Sequence, residues 1–167
     1  MEDAQAVPEL FPWLLFLHVL AAIIAFGPTF AFPIIGAMSG HEPQHANFAV
    51  RATHRVGDLL VEPFAISMLV TGALMIWSAD IPLFDREARW LVLAIALYLV
   101  ALSLALFVSR PNVKRVIPLS GGDAPPAGPP PPEMLSAIST VQRVGMILLV
   151  LLVVIVFLMV VKPDFGF

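Results

Sequence analysis

The chain has 167 residues, 59% hydrophobic and 13% charged, with a formal net charge of −3 and a mean hydropathy of +0.93. An average soluble domain is about 45–50% apolar and about 25% charged, so these totals exclude an ordinary soluble fold and point to an integral membrane protein. No basic run suggests nucleic acid, and the lack of cysteine removes thiolate nucleophiles, disulfides and iron–sulfur clusters.

The opening MEDAQAVPEL is acidic where a signal peptide is basic, and the apolar run behind it is too long for a signal core, so it reads as part of the folded chain. Four apolar segments follow at about 12–38, 56–77, 88–108 and 135–161. Each reaches the roughly 20 residues that cross a hydrocarbon core. The expected fold is an all-α membrane protein, a single four-transmembrane-helix bundle over residues 1–167.

The first segment, LFLHVLAAIIAFGPTFAFP, places His18 about 9 Å below the nearer surface at 1.5 Å per residue. Ala22, Ala25 and Thr29 continue its face. These small residues allow close helix approach or leave room for a flat ligand. Gly27, Pro28 and Pro33 predict a bend. A histidine inside a span needs a partner, and Tyr98 on the third segment lies at similar depth. An interhelical hydrogen bond and ligation of haem or a metal both satisfy His18. Met68 and Met75 are near enough in depth to be considered as a sixth ligand, although core filling suits methionine better.

The second segment opens with HRVGDLLVEP. His54, Asp58 and Glu62 recur at i, i+4 and i+8, on one helical face, with Pro63 directly after Glu62. Ionised carboxylates facing lipid cost several kcal/mol, so this face is expected to point into the bundle against a counter-charge. Depth counting selects Arg143, about eight residues into the fourth segment, as the partner of Glu62. Arg55 reaches Asp58 at i+3. A structural ion-pair network, a proton or cation path, and a carboxylate–histidine metal site all remain open for this cluster.

Along the third segment, Ala94, Tyr98, Ala101 and Ala105 make a packing face with one hydroxyl. A Pro/Gly-rich loop at 118–133 reads as a spacer outside the membrane. The fourth segment is almost uniformly aliphatic beyond Arg143 and reads as lipid contact and core. Arg51, Arg55, Arg110, Lys114, Arg115 and Arg143 lie on the side of the first and third loops, against Arg86, Arg89 and Lys162 on the other. This asymmetry predicts cytoplasmic first and third loops with both termini extracytoplasmic, and Trp13, Trp77 and Trp90 mark the outer boundary.

The first span LHVLAAIIAFGPTFAFPIIG, the H-R-x-x-D entry to the second and the closing FLMVVKP resemble a bacterial integral-membrane family of unknown function, domain-of-unknown-function family 2269. That group is similar to the four-helix membrane proteins that include the copper-resistance protein CopD and the HemJ-type protoporphyrinogen oxidases. The resemblance implies a four-helix bundle in the bacterial inner membrane, with His18 as ligand of a haem b. The chain departs from the HemJ-type pattern. It has Phe and Ile where that pattern has a tryptophan and an arginine, no lysine in the third span, and no second histidine at the depth of His18. Porphyrinogen oxidation is therefore not carried over.

Two readings of function follow. One is a haem- or metal-binding membrane protein ligated through His18, serving redox or metal handling. The other is a non-catalytic bundle that assembles with itself or within a larger membrane complex. No Gly-rich phosphate loop or nucleophile elbow supports an enzyme of the soluble classes.

Overall fold

The computed structural model describes residues 3–121 and 130–164, with side chains from Leu10 onward. Four helices are long and apolar enough to cross a membrane. We label them α1 (Asp3–His41), α2 (Pro43–Ser78), α3 (Arg86–Leu119) and α4 (Pro132–Val161). No strand occurs among the described residues. Many of the large hydrophobic side chains on these helices are exposed and few are buried, Ile23, Val70, Val100 and Val160 being among the exposed ones. In water such a surface would aggregate; in lipid it is the solvated face.

α1 and α2 pack most extensively, as do α3 and α4, so the bundle is built from two antiparallel hairpins. Small residues set the first pairing. Leu14, Ala21 and Ala25 are buried on α1, and Ala65 and Met68 on α2, the helix against which α1 packs. The buried face of α1 therefore runs through 14, 18, 21 and 25, slightly rotated from the expected 18, 22, 25 and 29. α4 contributes Ala137, Val144, Leu152, Ile155 and Leu158 to the core, spaced as one helical stripe. At the end of α4, Lys162 takes the left-handed conformation (φ 47°), and its ammonium lies 5.3 Å from the Trp90 ring centre. This cation–π contact ties the close of α4 to the start of α3.

α1 is one continuous helix through Gly27, Pro28 and Pro33. One expectation about helix limits needs correction. α3 does not stop near Val108 but continues past Pro111 to Leu119, so Arg110 is a helical residue and not a loop residue. The loop expected at 118–133 is shorter accordingly: 118–119 close α3, 132–133 open α4, and 122–129 lie outside the described residues.

What carries α2 and α3 past their prolines is a π turn in each. Gly57–Val61 is π-helical and ends on Glu62, whose N–H donates to the Gly57 carbonyl. Leu104–Ser109 is π-helical and ends on Arg110, whose N–H donates to the Ala105 carbonyl. In both cases proline comes next. Its missing N–H lets the ladder change from i−5 back to i−4 without stranding another donor. On α3 the Asn112 side-chain amide also covers the Val108 carbonyl at 2.7 Å. The inner ends of the two helices are joined by buried Asn47, whose Nδ2 donates to the Ile117 carbonyl (3.0 Å) and the Ser120 hydroxyl (2.8 Å).

Candidate functional site

The π turns sit where the sequence carries its charges. An α-helix drifts about 40° for every four residues, so His54, Asp58 and Glu62 would spiral through about 80° on an unbroken α-helix. The wider π turn between Asp58 and Glu62, at about 4.4 residues per turn, takes back most of that drift. The three side chains stand in a column facing α3.

Arg110 meets that column. Its two terminal nitrogens divide between the carboxylates: NH2 is 3.2 Å from Asp58 Oδ1, and NH1 is 3.1 Å from Glu62 Oε2. On the far side of Asp58, Oδ2 lies 3.5 Å from His54 Nε2. The side chains of Arg110, Asp58 and Glu62 are 37%, 32% and 19% exposed, so the cluster opens at one edge and closes around Glu62. Arg110 Nε is buried without a hydrogen-bond partner.

The expected counter-charge was Arg143, and the structure assigns that role to Arg110. Depth counting placed Arg143 at a suitable level but did not fix its direction. The buried stripe of α4 passes through Ala137 and Val144, and Arg143 is turned about 100° from Val144, onto the exposed surface. Arg55 is likewise exposed and forms no ion pair with Asp58 among the described residues; it stands on the outer face of α2 beside Arg51. A signal for Arg110 was present in the sequence. Glu62-Pro63 and Arg110-Pro111 echo one another. Counting from Trp77 and Trp90 puts Asp58 and Arg110 about 28 Å and about 30 Å below the tryptophan level.

Deeper in the bundle, His18 Nδ1 lies 2.9 Å from Thr71 Oγ1, and the Thr71 hydroxyl donates its single proton to the Ser67 carbonyl at 2.9 Å. With the Thr71 proton turned to Ser67, Thr71 accepts from His18 Nδ1, and the lone pair of the imidazole falls on Nε2. The partner of His18 is thus Thr71 and not Tyr98. The Tyr98 hydroxyl donates to the Ala65 carbonyl at 2.6 Å, and its ring meets Phe26 edge to face at 6.4 Å.

The small-residue face of α1 is also not open. α2 fills it: Ala25 is fully buried, and a Cβ at Gly72 would stand 3.4 Å from His18 Cε1. A flat ligand has no room between α1 and α2. Met68 is buried in the core, and its carbonyl lies 3.3 Å from Thr71 Oγ1. Among the described residues, no three histidine or carboxylate side chains converge as a metal site would require.

α2 thus carries both sites on different faces: Asp58 and Glu62 toward α3, and Thr71, about half a turn round from Glu62, toward His18 of α1. No curated protein and no solved structure matches the chain. The model of one family matches residues 12–163, which takes in all four spanning helices, the charged column and His18. The chain belongs to that family, DUF2269, whose description is predicted integral membrane protein.

Proposed function

We propose that this is a proton-handling membrane protein whose working group is the cluster of His54, Asp58, Glu62 and Arg110. The observation that carries the reading is stoichiometric: one guanidinium serves two carboxylates. With His54 neutral, the site is one unit negative at the edge of a hydrocarbon layer, where an uncompensated charge is expensive. A proton is the smallest charge that balances it. We place it on His54 beside Asp58 or between the two carboxyl groups. The cluster takes protons from water at its open edge. Tyr98 on α3, which bonds the α2 backbone about 4.5 Å above Glu62, is the next polar group beyond the cluster.

The test is reconstitution into liposomes holding a pH-sensitive dye, with a potassium diffusion potential as driving force. Wild type conducts protons faster than empty liposomes, and Glu62→Gln reduces the rate to the empty-liposome level while thermal stability is kept. A wild-type rate equal to that of empty liposomes overturns the reading.

A second reading rests on His18. Its Nδ1 proton is tied to Thr71, which orients Nε2 as a metal-ligating nitrogen is oriented by its outer hydrogen bond. Nε2 would hold the iron of a haem b, and such a haem would supply one-electron transfer. A second copy or a partner in a larger membrane complex would complete the site, since the Tyr98 hydroxyl is spent on the Ala65 carbonyl. Purified protein would then show a Soret band that His18→Ala removes; a colourless preparation from haem-replete cells overturns it.

A further inference from the structure

We propose that the outer face of α2, at Phe48, Arg51, Ala52 and Arg55, is a binding site for the phosphate of an anionic phospholipid. These residues are spaced i, i+3, i+4 and i+7, so they form one face of the helix. The neighbouring face, centred about 120° round the helix, carries Asn47, Val50 and His54, and Asn47 turns it inward through the hydrogen bonds to Ile117 and Ser120. A groove of about 320 Å³ is lined by the four outer residues. It holds two guanidinium groups, and neither Arg51 nor Arg55 forms an ion pair with a carboxylate among the described residues. This contrasts with Arg110, which is spent on two.

Depth selects a lipid as the occupant. Counting 1.5 Å per residue from Trp77 puts Arg55 about 33 Å and Arg51 about 39 Å below the tryptophan level. A hydrocarbon core of about 30 Å with headgroup layers extending the bilayer to about 40–45 Å places both in the headgroup layer of the far leaflet. Phe48, 69% exposed, is the apolar wall of the same groove. Arginine forks a phosphate with paired N–H donors, and two such groups one helical turn apart suit one phosphodiester. Lys114 and Arg115 are exposed on the inner end of α3, so that end of the bundle is basic overall.

Native mass spectrometry of the full chain, released from micelles doped with equal amounts of phosphatidylglycerol and phosphatidylcholine, tests the assignment. Wild type retains phosphatidylglycerol in preference. Arg51→Gln with Arg55→Gln lowers that preference by about ten- to thirty-fold, as two basic groups at a membrane surface imply. Lys114→Gln with Arg115→Gln, outside the groove, lowers it by less than about three-fold. Circular dichroism establishes that both double variants are folded. Equal retention of the two lipids by wild type overturns the proposal, as does an unchanged preference in the Arg51/Arg55 variant. Displacement of the lipid by millimolar inorganic phosphate would make this a free-anion site and overturns the lipid assignment.

Discussion

Replacing Arg110 by methionine keeps the length of the side chain and removes its charge, leaving Asp58 and Glu62 facing one another. Two unit charges about 4 Å apart interact with about 4 kcal/mol at an effective dielectric constant near 20, so each arm of the clamp is a substantial gross term. Breaking a fully buried pair costs about 3–5 kcal/mol, whereas exposed pairs are worth about 0.2–1 kcal/mol. The Asp58 and Arg110 side chains are about one-third exposed and Glu62 less so, which places Arg110→Met between these limits, at about 2–3 kcal/mol. Glu62→Gln behaves differently. It leaves one carboxylate for one guanidinium, a balanced site, and is expected to change stability by less than about 1 kcal/mol. Arg143→Leu removes an exposed charge and stays within about 0.5 kcal/mol. Unfolding in mixed micelles, followed by circular dichroism, orders the three variants. The reasoning is refuted if Glu62→Gln costs as much as Arg110→Met, because the site would then hold no surplus of acid. It is refuted equally if Arg143→Leu proves the most damaging of the three.

Tyr98→Phe keeps the edge-to-face contact with Phe26 and loses only the hydrogen bond to the Ala65 carbonyl, at a cost of about 1 kcal/mol in the same unfolding assay. Tyr98→Leu loses both and costs more. Gly72→Ala meets His18 Cε1 at ordinary van der Waals distance and gains helix propensity, so it is neutral or stabilising by up to about 1 kcal/mol, while Gly72→Leu separates α1 from α2 and lowers the melting temperature. Asn47→Ala leaves α2 unlatched from the end of α3; limited proteolysis near Pro43–His45 should quicken, with a stability loss of about 1–3 kcal/mol. A reporter active only in the cytoplasm, fused at the C-terminus, is expected to be silent, whereas one inserted in the α1–α2 connection is expected to be active.

The four spans were legible because hydropathy over some 20 residues is a strong, direction-free signal. The column of His54, Asp58 and Glu62 was legible from spacing alone, since the cost of a lipid-facing carboxylate leaves one face available. Arg110 was missed for a local reason. Proline after a charged residue reads as the end of a helix, and only the π turn at Leu104–Ser109 shows how the chain continues through Ser109-Arg110-Pro111. Arg143 failed for the complementary reason. Rise per residue gives depth, but direction around the helix axis depends on which stripe of α4 packs inward, and a helix of nearly uniform aliphatic side chains does not announce that stripe. The pairing of His18 with Thr71 was also hidden, because a threonine that bonds back to its own helix looks satisfied until a second helix arrives.

The prolines have a mechanical consequence. Pro28 and Pro33 on α1, Pro63 on α2 and Pro111 on α3 all fall between about 20 Å and about 32 Å below the tryptophan level, in one slab of the bundle. Each removes a rung from its backbone ladder there, while α4 has no proline beyond its first turn and passes through the slab intact. Amide exchange in that slab is therefore expected to be faster on these three helices than at the same depth on α4. The guanidinium clamp is the tie across two of those weakened ladders, at Glu62-Pro63 and Arg110-Pro111. Arg110→Met cuts that tie, and it is expected to quicken amide exchange at both proline turns together.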